Sequence, residues 1–239
     1  MAHPSRGHAV KAVVALLGAL LLGGCATPPP ASVPPVTVVT FGDSVPAGTA
    51  CHCTPFPDLY ARMVSPVADS VNLAEAGATS ADVRRALSGA PARDAVRRAT
   101  VVLVMAGAND VAAALDDDDP YAAPVAQVGR NVTAALRSVH ELRPGVPVLV
   151  FGYWNVVEDG VAAGDDDNRR AAAVAATAAC DQALREAAAA TGVTYVDTLP
   201  VFKGGTGTGD PTSLLAADGD HPNAAGHEAI ASAAYAAAH

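Results

Sequence analysis

Aromatic residues are scarce in this 239-residue chain: four Phe, five Tyr and one Trp. A core dominated by rings is excluded. With Ala abundant and apolar residues at 51% of the whole, the expectation is Ala-rich helices packed closely on a sheet of Val and Leu. Basic residues are also few. Fifteen Lys and Arg stand against 24 Asp and Glu, a formal net charge of −9. The first 24 residues hold Arg6 and Lys11 and no acid, so the remainder carries −9 − 2 = −11. That balance argues against nucleic acid as a partner and against electrostatic adhesion to anionic lipid. Long apolar runs are missing as well. The longest, Ala12 to Leu22, is too short for a comfortable membrane-spanning helix. The acidic runs Asp116–Asp119 and Asp165–Asp167 lack EF-hand spacing and read as solvated loops, so no metal site is expected.

Cysteine is rare but placed informatively. Arg6 and Lys11, the short apolar run and then small residues form the pattern of a secretory signal. Leu22-Gly23-Gly24-Cys25 resembles a bacterial lipobox, in which the cysteine is lipidated and becomes the first mature residue. Residues 1–24 are then a lipoprotein signal peptide. Residues 25–35 are the lipidated Cys25 followed by a spacer with Pro28–Pro30 and Pro34-Pro35, which favours extended polyproline II. The expected product is exported and tethered to the extracytoplasmic face of the membrane through Cys25. Three cysteines remain: Cys51, Cys53 and Cys180. They allow one disulfide and one leftover thiol. The pairing stays open between a bond from Cys51 or Cys53 to Cys180 and a bond between Cys51 and Cys53. Cys-x-Cys without a further Cys/His pair at suitable spacing is a poor zinc signal.

Residues 36–239 have the length of one α/β domain. Strands are expected at 36–41, 69–73, 100–105, 146–151 and 193–196. The run at 100–105 is almost purely Val and Leu, as in a strand buried on both faces. Helices are expected at 55–64, from Ser80 as cap to about 88, at 124–142, at 169–190, and at 224–238 behind Asn223 as N-cap. Strands alternating with helices indicate a parallel sheet covered on both faces. Sites in such sheets form beyond the carboxyl ends of the strands. Ser44, Gly77, Gly107–Asp110 and Tyr153–Asn155 each follow an expected strand, so they share one rim.

Four short motifs lie on or near that rim. Gly42-Asp43-Ser44 puts a serine on a strand-to-loop turn. Gly77 can bring its N–H close to a ligand. Gly107-Ala108-Asn109-Asp110 can aim an amide at a developing oxyanion. In Asp218-Gly219-Asp220-His221 the spacing lets Asp218 reach His221 Nδ1 while Nε2 faces the serine, with Asp220 as the competing carboxylate. A serine nucleophile needs a base, and the base needs an orienting acceptor. His140, His227 and His239 read as surface residues. Thr49 to Pro57 is a candidate wall for the site, and the Tyr153-Trp154-Asn155 segment reads more readily as buried aromatics than as substrate contacts.

Taken in order, Gly-Asp-Ser, Gly, Gly-x-Asn-Asp and Asp-x-x-His resemble the four blocks of the SGNH (GDSL-type) hydrolase family. Val45 stands where the family name implies Leu. The resemblance runs from Val36 to the final helix. It implies a three-layer α/β/α sandwich with a five-stranded parallel sheet, flavodoxin-like, and no cofactor. It implies Ser44 as nucleophile, His221 as base and then acid, and Asp218 as orienting carboxylate. The Ser44 N–H, the Gly77 N–H and the Asn109 side chain are the implied oxyanion hole. The reaction is then acyl transfer from a small-molecule or glycan ester through a serine ester. An acyltransferase, or an O-acetyl esterase of cell-envelope glycans, uses the same triad. A non-catalytic binding lipoprotein shares anchor and fold but does not require the full set. No serine sits in a Gly-x-Ser-x-Gly elbow. Oligomeric state is not legible.

Overall fold

The computed structural model describes Met1 and residues 35–117, 119–164 and 166–239. The expected signal sequence, Cys25 and all but the last residue of the proline spacer lie outside the described residues. Among the described residues, no helix is long and apolar enough to cross a membrane.

The β-branched run after Pro35 forms β1 (Thr37–Gly42), and the Val/Leu run forms β3 (Val101–Met105), whose last four residues are buried. β2 (Asp69–Asn72), β4 (Val148–Phe151) and β5 (Thr194–Val196) complete one five-stranded sheet in the order β2-β1-β3-β4-β5, with every pairing parallel. β4 is buried throughout, whereas the edge strands β2 and β5 are partly exposed. This is the flavodoxin-like strand order, with its switch point between β1 and β3. The expected α/β class and strand count hold.

Nine α-helices connect and cover the strands among the described residues: α1 (Ser44–Ala47), α2 (Phe56–Val64), α3 (Ser80–Ala86), α4 (Ala90–Arg98), α5 (Ala108–Asp116), α6 (Ala122–Leu142), α7 (Asp167–Thr191), α8 (Leu199–Lys203) and α9 (Ala224–Ala238). α2 packs with α9. On the other side α6 and α7 pack on each other, with α3, α4 and α5 against them. Small Ala side chains allow this close approach: Ala173, Ala176, Ala187 and Ala188 of α7 are all buried. The helix that starts at Ser80 is capped by Thr79, not by Ser80. Thr79 and Asp82 exchange side-chain and backbone hydrogen bonds in a capping box. The Ser80 hydroxyl is engaged elsewhere, donating to Asp110 at 2.7 Å. The acidic runs are not simple solvated loops: Asp116 ends α5, and Asp166 caps α7 by accepting from Asn168 and Arg169 N–H.

Candidate active site

The serine is placed by the end of β1. A Cβ at Gly42 would overlap the Met105 carbonyl oxygen and lie 2.7 Å from Pro46 Cγ, so glycine is required by close approach to β3. Asp43 N–H then donates to Met105 O at 3.1 Å. The Asp43 carboxylate caps α1, accepting from Val45 N–H at 3.0 Å and from Tyr153 Oη at 2.5 Å. Burial pushes this carboxyl up to about 6, against the pull of those two hydrogen bonds. Ser44 is therefore the first residue of a short helix whose cap is fixed by three buried contacts. Its N–H belongs to the first turn, where no intrahelical acceptor exists.

The loops after β2 and β3 are stapled to each other. Asn109 Nδ2 donates to Ala78 O at 2.9 Å. Asp110 accepts from Ser80 N–H at 2.8 Å, and Asn131 Nδ2 donates to Ser80 Oγ at 3.0 Å. Gly77 lies in the turn at φ +79°, and a Cβ there would meet open space. Among the described residues no protein group takes the Ser44 N–H, the Gly77 N–H or the second Asn109 amide hydrogen.

The turn before α9 holds the histidine. Asp218 Oδ1 accepts from the Asp220 and His221 N–H groups, each at 3.1 Å, and Asp218 Oδ2 lies 2.8 Å from His221 Nδ1. Burial opposes ionisation of Asp218, yet the His221 ring and the two N–H donors hold its carboxyl below the ordinary value. Asp220 Oδ2 is 3.7 Å from His221 Nε2. Asp218 thus makes the orienting contact, as its spacing predicts, and Asp220 sits on the other side of the ring.

A cleft of about 270 Å³ opens at this rim, lined among others by Ser44, Asn109, Asp116, Trp154, Glu158 and Asp220. Ser44, Asn109 and the His221 turn therefore meet at one opening, the last through Asp220. Gly77 is not part of the lining, and neither is any residue of 49–57. Tyr153 and Trp154 are buried, and Trp154 stacks on Phe202 with ring centroids 3.7 Å apart. Asp159, in the loop after β4, pairs with Lys203 Nζ at 2.6 Å and donates its N–H to Gly219 O at 2.8 Å. This ties the loop to the His221 turn.

Two expectations about Cys and His resolve here. Cys51 and Cys53 are joined in a disulfide, and Cys180 is a free, buried thiol. His227 is not a surface residue: it is fully buried, and its Nδ1 accepts from Phe56 N–H at 3.2 Å. Helix α9 turns this face onto α2. Burial pushes the ring down to about 4, so it is neutral with its proton on Nε2. One donor atom each from Cys51, Cys53 and His227 lies within 4.8 Å of the others. Bonded sulfurs are not thiolates and a protonated Nε2 has no lone pair, so in this state the trio is not a ligand set.

Sequence reasoning missed Tyr153 as the partner of Asp43, a contact across 110 residues. It also missed the Lys203–Asp159 pair. Neither has a local spacing signal. The available hint was an acid that follows a buried strand and must find donors.

Residues 40–229 match the model of the GDSL-like Lipase/Acylhydrolase family. No curated protein matches the chain by sequence. Solved structures do match in shape. A lipase, Lip_vut3, from a goat rumen metagenome superposes with a TM-score of 0.67 at 17% identity, over 84% of this chain and 97% of its own. The lipase/acylhydrolase from Enterococcus faecalis gives 0.56 at 21% identity, over 84% and 94%. Phospholipase A1 from Streptomyces albidoflavus NA297 gives 0.62 at 18% identity, over 85% and 99%.

Proposed function

Because the chain belongs to the GDSL-like lipase/acylhydrolase family, whose members are SGNH-type hydrolases of ester bonds, we propose that it is a serine esterase in which Ser44, His221 and Asp218 form the triad. The observation that carries this reading is the 2.8 Å contact between Asp218 and His221 Nδ1. It sits on a turn whose Asp220 shares a cleft with Ser44 and Asn109. Asp218 fixes the tautomer with the proton on Nδ1, which leaves the Nε2 lone pair to take the Ser44 proton. Oγ attacks the ester carbonyl, and negative charge develops on the carbonyl oxygen. The N–H groups of Ser44 and Gly77 and the spare Asn109 hydrogen are the donors for that oxygen. His221 then gives its proton to the departing alkoxide. A water, deprotonated by His221, attacks the acyl-enzyme and releases the acid.

The small cleft, with its polar lining, supports short or polar esters over long acyl chains. It also keeps an O-acetyl esterase or an acyltransferase of envelope glycans as the second reading. Hydrolysis of a p-nitrophenyl series from acetate to palmitate, by the native protein and by Ser44→Ala, tests the assignment. Activity at the short end that vanishes in Ser44→Ala is expected. Equal activity in the folded variant would remove Ser44 as nucleophile. Export and membrane tethering through lipidated Cys25 belong to the same proposal and rest on the lipobox-like sequence. Cys25→Ser is expected to move the protein from the membrane to the soluble fraction, and an unchanged membrane fraction would reject the anchor.

A further inference from the structure

One cleft carboxylate has no part in the mechanism above. Asp220 lies 3.7 Å from His221 Nε2, on the opposite side of the ring from Asp218. In the mechanism proposed above Nε2 is the atom that hands a proton to the departing alkoxide, and Asp220 is the carboxylate nearest that atom. We propose that Asp220, seconded by Glu158, makes this a cleft for esters of cationic alcohols. The inference rests on the serine-esterase reading of the same cleft.

The charges that line the cleft are unequal. Asp43, Asp116, Glu158 and Asp220 face it, with Arg169 as the cation among the lining residues. Asp116 is paired with Arg169 at 2.6 Å. Asp43 is buried and held by Val45 N–H and Tyr153 Oη. Among the described residues no lysine or arginine forms an ion pair with Asp220 or Glu158, and burial, with the charges of Asp218 and Glu158, raises the Asp220 carboxyl against the pull of His221. What sets Asp220 apart from an acidic surface patch is its position: it lines the same small opening as Ser44 and lies 3.7 Å from His221 Nε2. A cleft of one sign with low-dielectric walls focuses its field on whatever enters. An alkoxide-side ammonium group meets that field favourably. A carboxylate or phosphate on the alcohol is repelled by it.

Three acetate esters of similar bulk test this. Acetylcholine carries a positive charge, 3,3-dimethylbutyl acetate is its neutral isostere, and 3-acetoxypropanoate is negative. In the native protein at low salt, kcat/KM is expected to run cation over neutral over anion, with cation and neutral separated by roughly three- to tenfold and the gap shrinking as salt is added. Asp220→Asn is expected to bring the cation-to-neutral ratio toward one, Asp220→Asn with Glu158→Gln to bring it closer still, and Asp220→Glu to retain it. A native ratio of one or less, or a ratio that survives in Asp220→Asn, would overturn the proposal. Hydrolysis of the neutral ester that disappears in Ser44→Ala reports separately on the esterase itself. If no ester is turned over, calorimetry of choline against 3,3-dimethylbutanol on the native protein and on Asp220→Asn decides the charge preference alone. Tighter choline binding that weakens in the variant upholds it, and equal binding rejects it.

Discussion

Asn109 has two amide hydrogens, and among the described residues one of them finds an acceptor. The bond to Ala78 O at 2.9 Å fixes the side chain, and in the proposed mechanism the second hydrogen is the one that serves the oxyanion. A donor fixed in advance costs no reorganisation as charge builds on the carbonyl oxygen, which is why such donors are worth about 3 kcal/mol in the transition state. Asn109→Ala is therefore expected to lower kcat roughly a hundredfold or more, with KM for a short ester little changed. Steady-state kinetics on the folded variant checks this, and an unchanged kcat would take Asn109 out of the oxyanion hole. Asp43 illustrates a different use of a side chain. It touches no reacting atom in the proposed mechanism, yet through Val45 N–H and Tyr153 Oη it fixes the first turn in which Ser44 stands.

At the scale of elements, the His221 turn is held against the loop after β4 at one glycine. Gly219 has φ +72°, and a Cβ there would overlap Ala162 and lie 2.9 Å from Asp159 O. Asp159 meanwhile donates its N–H to Gly219 O and pairs with Lys203. Gly219→Ala is expected to cost about 1–3 kcal/mol in strain and displacement. Because the displaced turn carries Asp218 and His221, kcat falls with it. Chemical unfolding and kinetics of the variant check both, and native values for each would show that the turn does not depend on this contact. The elements themselves were largely legible. The apolar runs announced all five strands to within two residues, and Asn223 does cap α9. Helices α4 and α5 were not anticipated. α4 starts behind Gly89 with Pro91 in its first turn, and its polar surface hides a short buried face of Ala92, Ala95 and Val96. α5 begins inside the Gly107–Asp110 motif, since Gly107 leads straight into Ala108. His227 defeated local reasoning because its burial is set by α2, a helix some 170 residues away (a separation of 171 to Phe56). Three of the four motifs were visible because each follows a strand, and the fourth because its Asp-x-x-His spacing is local. Asp220's place on the Nε2 side of the base was not, because it depends on how the turn folds back.

For the molecule as a whole, the buried titratable groups set how stability follows pH. Burial pushes Asp43 up to about 6, Asp181 up to about 7 and His227 down to about 4, and it also raises Asp110 and Asp220. A carboxyl whose folded value is raised binds more protons in the native than in the unfolded chain. Its contribution is fully present below the unfolded value and is lost as pH rises through the folded one. Asp43 and Asp181 therefore favour folding at low pH and withdraw that support between about pH 4 and 7. His227 works the other way, because the unfolded chain takes up a proton that the buried ring refuses, so its contribution grows from about pH 4 to its ordinary value near 6.5. The raised carboxyls outweigh the one histidine, and of Asp43, Asp181 and His227 the last to titrate is Asp181. Unfolding free energy is thus expected to fall between pH 5 and pH 8, by on the order of 2–4 kcal/mol. Asp181→Asn isolates the effect. The amide keeps an oxygen for the Tyr153 N–H that Asp181 Oδ1 accepts at 2.9 Å, and it stays neutral at every pH. Urea unfolding at pH 5 and pH 8 is expected to show the variant close to native at pH 5 and more stable than native at pH 8. A variant destabilised equally at both would mean that Asp181 is held ionised by Arg185 and that the slope arises elsewhere.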